Sequence, residues 1–151
     1  NNHIFLNGQD VSQVIRQDQV SMSASVVSSY QAVRTFLVEQ QRQMANVGGV
    51  ILDGRDIGTV VLPNAELKIY QIASVDTRAK RRYLENQERG LTADLELIKK
   101  DIEQRDYQDM NRDISPLKQA EDAIVLDTSA MTLQEVVDAV LKLVEEKIKE
   151  V

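Results

Sequence analysis

Apolar positions recur at three- and four-residue steps through much of the chain, broken by a few short runs of β-branched residues. The clearest stripe is Leu133, Val136, Val137, Val140, Leu141, Val144 and Ile148. Thr132 and Glu135 form a capping box just ahead of it, so the spacing predicts a closing helix. Helices are also predicted near 19–29, at 31–46 with Gly48-Gly49 as its stop, at 75–89 with Gly90 as its stop, and at 93–112. Strands are predicted at about 50–53, 67–73 and 123–127, and residues 2–6 read as a strand or hairpin arm turning at Asn7-Gly8. Strands alternating with helices imply an α/β domain with a mostly parallel sheet.

Leading into and along the helix predicted at 93–112, Leu91, Leu95, Ile98 and Ile102 mark the buried face, and the same steps lead on to Arg105, Asp109 and Arg112. The core-facing stripe thus turns charged without changing direction, while Lys99, Lys100, Glu103 and Gln104 occupy the opposite face. Inward charge needs a partner or a polar ligand. The plainer alternative is an ion-pair ladder along the helix, worth a few tenths of a kcal/mol per pair.

Two further charged groups invite the same comparison. Asp53-Gly54-Arg55-Asp56-Ile57-Gly58-Thr59 directly follows the apolar run Val50-Ile51-Leu52. Ligands of open α/β sheets bind at the carboxyl ends of strands, where a guanidinium fork suits phosphate. The segment also reads as a turn whose Asp and Gly serve backbone geometry, and Asp53 fits that role as well as it fits a supporting role in a site. Arg78, Lys80, Arg81 and Arg82 fall within five residues of an otherwise acidic chain. Such a run is either a solvated face or a cluster directed at an anion.

The 151 residues suffice for one domain with a core. No cysteine is present, which excludes disulfides and thiolate metal sites. The net charge of −6 argues against a nucleic-acid polymer as partner, and no apolar run approaches membrane-spanning length. The lone His3 reads as incidental.

Taken in order, these blocks resemble the bacterial cytidylate (CMP) kinases, members of the P-loop nucleoside monophosphate kinases. The likeness runs from Asn7-Gly8-Gln9-Asp10-Val11 with Ile15-Arg16, through Val33-Arg34 and Gln40-Gln41, to Asp53 through Pro63. It continues in Ala73-Ser74, Arg78 and Arg81-Arg82-Tyr83, then in Arg105-Asp106, Asp109-Met110-Asn111-Arg112 and Ser115-Pro116-Leu117. Ala120-Glu121-Asp122-Ala123 and Leu126-Asp127-Thr128 complete it. Any one block is weak, but their order and spacing together are specific.

The resemblance implies a three-layer α/β/α fold around a parallel sheet, with residues 1–30 the remainder of a small β-containing monophosphate-binding insertion. Residues 31–151 would then be the core, including a lid at about 75–92. It implies phosphorylation of CMP or dCMP by ATP, with Mg²⁺ bound mainly through the nucleotide and through a segment not found here, in a cytoplasmic monomer. The residues matching the family's CMP-contacting positions are Ser25, Arg34, Arg55, Asp56, Arg105, Asp109 and Arg112. Ser25, Arg34 and Asp56 are assigned chiefly to the base, Arg105 and Asp109 to the sugar, and Arg55 and Arg112 to phosphate. Arg81 and Arg82, ahead of Arg78, correspond to lid arginines closing over the ATP phosphates, so Arg55, Arg81 and Arg82 are the candidate catalytic groups. No residue is assigned to a metal.

The sequence departs from the family in one respect. Its members open with a strand and a glycine-rich loop G-x-x-x-x-G-K-[ST]. The six glycines here, at 8, 48, 49, 54, 58 and 90, never precede Lys-Ser or Lys-Thr. The expectation is therefore the carboxyl-terminal two-thirds of a kinase, lacking the phosphate-loop strand and helix and inactive alone. A non-catalytic fragment or nucleotide-binding module that keeps the CMP pocket is the alternative. A kinase for another pyrimidine or a small metabolite on the same fold is a third reading.

Overall fold

A computed structural model of the chain describes residues 3–150, so the first residue of the arm expected at 2–6 lies outside the described residues. The chain forms two compact units, residues 1–48 and 49–151. This division falls later than residue 30, where the insertion is expected to end; compactness keeps the second long helix with the first unit.

In the first unit, β1 (Phe5–Leu6) and β2 (Gln9–Asp10) form an antiparallel hairpin. Its two-residue turn needs positive φ at both positions, supplied by Asn7 at 51° and Gly8 at 81°. Asp10 closes the hairpin by accepting from the Ser12 hydroxyl and N–H, with His3 Nδ1 2.7 Å away. These hydrogen bonds hold its carboxyl below the usual range, those from Ser12 most strongly. A 3-10 turn at Val14–Arg16 leads into α1 (Asp18–Val27), and α2 (Gln31–Ala45) follows.

In the second unit, residues 50–53 form no strand and 54–56 bend, which corrects the expectation for 50–53. A strand needs a ladder to satisfy its backbone, and no described segment supplies one; Ile51 is 94% exposed. A π-helical turn, Ile57–Val61, comes next. β3 (Ile69–Ile72) pairs in parallel with β4 (Ile124–Asp127), Ile69 opposite Ile124 and Ile72 opposite Asp127. Between them lie α3 (Val75–Glu88) and α4 (Leu95–Asn111), packed against each other, and α5 (Leu133–Glu150) closes the chain.

The caps follow the sequence closely. Ser74 Oγ accepts from Thr77 N at 3.1 Å to start α3, and Asp94 accepts from Glu96 N and Leu97 N to start α4. Gly90, at φ 70°, ends the α3 segment in the left-handed region. The Thr132–Glu135 box forms, with Thr132 N donating to Glu135 at 2.7 Å and Glu135 N donating to Thr132 Oγ1 at 3.3 Å.

Ala79 packs against Ile98 and Ile102, with Val75, Tyr83 and Ala93 around them. Leu91 and Leu95, expected on the buried face of α4, are instead 55% and 41% exposed. They fall at or before the helix start, where α3 no longer covers that face. The stripe of α5 is likewise open: Leu133, Val137, Leu141 and Ile148 are all exposed. The observed architecture is thus α/β with a small parallel sheet and helices, as expected at that level.

Candidate active site

A cavity of about 590 Å³ lies in the second unit. Leu67 through Ala73 line it along the full length of β3, as do Leu52, Asp53, Gly54 and Arg55 of the segment before the π-helical turn. No residue of β4 lines it, so it follows the edge of β3 that carries no ladder among the described residues. Toward the start of β3 the lining mixes apolar Ala65, Leu67, Leu117 and Ala120 with Lys68 and Lys118. Arg55 and Arg105 line the same cavity, and Arg78 and Arg81 reach it from α3, just beyond the carboxyl end of β3. That is the end of a parallel sheet at which ligands collect.

Helix α4 presents its charged stripe as expected, because Asp109 is 4% exposed at the turn after Ile102 and Arg105. Asp109 accepts from Arg55 Nε at 2.9 Å and lies 3.6 Å from Arg112 Nη1. Arg112 in turn donates from Nε to the Ser115 carbonyl at 2.7 Å, and Leu117 N reaches the Asp109 carbonyl at 2.7 Å. The chain therefore folds back over the end of α4 and covers Asp109 and Arg112. The bend places Ser115 at φ 49°, an unusual conformation for a residue with a Cβ. Asp56 is 7% exposed just before the π-helical turn, and its carbonyl accepts from Val60 N at 2.8 Å.

Arg105 lines the cavity, and its Nε is buried with no hydrogen-bond partner. A buried N–H left unsatisfied costs about 1–3 kcal/mol, so an arginine placed here for structure alone is poorly placed. A polar atom from a ligand would complete it.

The arginines of α3 divide. Arg78 forms a two-point pair with Asp106 of α4, at 3.0 and 2.5 Å. Arg81 Nη2 donates to the carbonyls of Thr128 at 2.6 Å and Met131 at 2.9 Å, tying α3 to the loop after β4. Thr128 is fully buried there, its hydroxyl donating to the Ile72 carbonyl at 3.1 Å. Both Arg78 and Arg81 line the cavity. Arg82 does not; it lies 3.6 Å from Glu85 along its own helix.

Ser25 and Arg34 belong to the first unit. Arg34 is 8% exposed, and its Nη1 donates to the Ser28 carbonyl at 3.2 Å. The Ser28 hydroxyl donates to the Ser25 carbonyl at 2.8 Å, so both meet at the junction of α1 and α2. The second unit brings together Arg55, Asp109 and Arg112, and separately places Arg105, Arg78 and Arg81 on the cavity.

Asp106 and Lys68 escaped the sequence reading as members of this region. Asp106 lies four residues beyond Ile102 and three before Asp109, so helical spacing alone puts it near the charged stripe. Lys68 lines the cavity, and its Nζ reaches both Asp122 oxygens at 2.8 and 2.7 Å and the Pro63 carbonyl. This pairing holds the Asp122 carboxyl below its usual range. Nothing in the spacing of residues 68 and 122 signals that contact.

Residues 1–146 match the family model described as cytidylate kinase. Among curated proteins, the cytidylate kinase of Geobacillus sp. (strain WCH70) is 50% identical over 145 residues, covering 96% of this chain and 65% of the relative. That of Bacillus cytotoxicus is 51% identical over 146 residues, covering 97% and 65%, and that of Leuconostoc mesenteroides is 51% identical over 145, covering 96% and 65%. The chain thus spans about 65% of the length of the relatives it matches. Identity at that level over nearly every residue of the chain, together with the family match, establishes that it belongs to the cytidylate kinase family.

Proposed function

We propose that this chain is the acceptor side and lid of a CMP/dCMP kinase that transfers the γ-phosphoryl group of ATP to the α-phosphate of CMP or dCMP. The observation that carries the reading is the cationic end of the cavity, where Arg105 stands with an unsatisfied buried Nε beside the Arg55–Asp109–Arg112 network. Phosphoryl transfer asks little covalent chemistry of a protein and depends on positioning and charge stabilisation. In this reading Arg55 and Arg112 neutralise the acceptor phosphate, and Arg105 with Asp109 holds the sugar. Ser25, Arg34 and Asp56 read the cytosine edge, Asp56 accepting from its exocyclic amine. Arg81, Arg82 and Arg78 serve the ATP phosphates as the lid closes and excludes water.

The donors on the cavity suit phosphate oxygens better than a cation. Among the described residues no group of three or more His, Cys, Asp or Glu side chains is arranged to hold a metal. Mg²⁺ would be held mainly through the nucleotide and the phosphate-loop segment, and would supply charge neutralisation at the transferring phosphate. The enzyme is proposed to be a cytoplasmic monomer; among the described residues no helix is long and apolar enough to cross a membrane.

The open edge of β3 supports a second, related reading. A strand inserted between β3 and residues 50–53 would sit about 4.8 Å from each, so a slot about two spacings wide is what a phosphate-loop strand requires. Without that loop the chain is a nucleotide-binding module that keeps the acceptor pocket. Kinetics separate the two: a kinase carrying this segment with a glycine-rich loop ahead of it phosphorylates CMP, and Arg105→Ala abolishes most of that activity. Normal turnover in Arg105→Ala would refute the assignment of the site.

A further inference from the structure

The cavity holds one side chain of opposite charge in close contact with a lid arginine. Asp106, on α4 beside Arg105, receives Arg78 from α3, with Nη1 3.0 Å from Oδ1 and Nη2 2.5 Å from Oδ2. Arg78 Nε also donates to the Ala73 carbonyl at the end of β3, at 3.0 Å. A guanidinium has five N–H donors fixed in one plane. Three are engaged, along two edges of the group, so its orientation is set, and one N–H on each terminal nitrogen remains for an anion in the cavity that Arg78 lines. The side chains of Arg78 and Asp106 are 32% and 18% exposed, so water competes for this pair less than for one on the open surface.

Charge points the same way. Arg55, Arg78, Arg81 and Arg105 line one cavity, and four guanidinium groups left alone would repel one another toward solvent. Arg55 is already answered by Asp109, and Arg81 by two carbonyls. Asp106 does the corresponding work for Arg78, and it ties the first turns of α3 to β3 and α4 together.

We propose that Asp106 is a positioning residue for phosphoryl transfer, acting through Arg78 to hold a preoriented guanidinium charge, with its remaining N–H donors, at the charged end of the cavity. It does not touch nucleotide itself. This rests on the kinase reading above, and it assigns Arg78 a more defined part than its neighbour Arg82, which lies along its own helix.

The test uses the complete kinase carrying this segment, with D106N, R78A and the double variant compared for kcat, KM and melting temperature. Asn is close to Asp in shape but cannot accept both guanidinium donors as an anion. D106N is expected to lower kcat about tenfold or more while KM for CMP stays within about twofold. The double variant should be no slower than R78A, because Asp106 acts only through Arg78. Unchanged kcat in D106N, or losses that multiply in the double variant, would overturn the proposal, and a lower melting temperature with normal kcat would make the pair a structural clamp only. If D106N does not fold, R78K is the second variant; it keeps the charge without the fork, and normal turnover in R78K would overturn the proposal. An unmutated kinase without CMP phosphorylation would instead refute the function itself. In that case the Arg78 Nε resonance, titrated with inorganic triphosphate, still reads the positioning: binding weakened about tenfold in D106N supports it, and equal binding overturns it.

Discussion

Replacing Arg105 with Met should move stability and activity in opposite directions. The side chain lies on α4 three residues after Ile102, and Met preserves much of its aliphatic stem while removing the guanidinium. In the structure that guanidinium brings a buried Nε with no hydrogen-bond partner, a feature that costs about 1–3 kcal/mol. Removing it relieves the cost and gives up some packing. In a chain of this length each kcal/mol moves Tm by roughly 2–4 °C, so Tm should rise or stay within about 2 °C of its starting value. Bound ligand reverses the balance. A hydrogen bond to a charged group contributes about 1.5–3 kcal/mol, which at about 1.4 kcal/mol per decade is a loss of roughly ten- to 150-fold in kcat/KM. Differential scanning calorimetry and steady-state CMP kinase assays on the same preparation of a complete enzyme carrying this segment make the comparison. A fall in Tm of several degrees with near-normal kcat/KM would refute the site assignment and return the stripe to a structural ion-pair network.

Asp56→Ala should cost about 1–3 kcal/mol in kcat/KM for CMP and less for UMP, which lacks the exocyclic amine; equal losses in steady-state assays with both nucleotides would defeat the base assignment. Thr128→Val removes a fully buried hydroxyl that donates to the Ile72 carbonyl, but Thr128 N still reaches that carbonyl at 2.8 Å, so urea unfolding should show a loss of only about 0.5 kcal/mol, and a loss above about 1.5 kcal/mol would contradict this. Glu135 is held below its ordinary value near 4.5, first by the Thr132 backbone N–H and then by its hydroxyl. A depressed carboxylate contributes stability above its unfolded pKa and loses it as pH falls through the folded one. Glu135→Gln should therefore flatten the decline of α5 stability below about pH 4.5, and an unaltered acid limb in circular dichroism would count against the capping box.

What the sequence discloses is what local spacing controls. Among the described residues the five α-helices were legible from apolar period, the Thr132–Glu135 box and stops such as Gly90, which act within one turn. The turn at Asn7-Gly8 was legible for the same reason. The segment 50–53 was misread because Val50-Ile51-Leu52 has the composition of a strand, while forming one depends on a neighbour that composition does not record. Leu91 and Leu95 share the period of Ile98 and Ile102, yet burial ends where α3 ends. In the site, the inward turn of charge at Asp109 followed from helical period alone. The pairing of Arg55 with Asp109 and of Arg78 with Asp106 crosses between elements, 54 and 28 residues apart, and spacing is silent over such distances.

The central claim is that these residues form the acceptor side of a kinase whose donor side requires a glycine-rich loop absent from the sequence. It is tested most directly by following ADP release from ATP, Mg²⁺ and CMP with the purified 151-residue chain, alone and joined to a segment that supplies the glycine-rich loop. The expected result is no measurable CMP-dependent release from the chain alone and kinase turnover once the segment is joined. Turnover at an ordinary kinase rate by the 151 residues alone would contradict it.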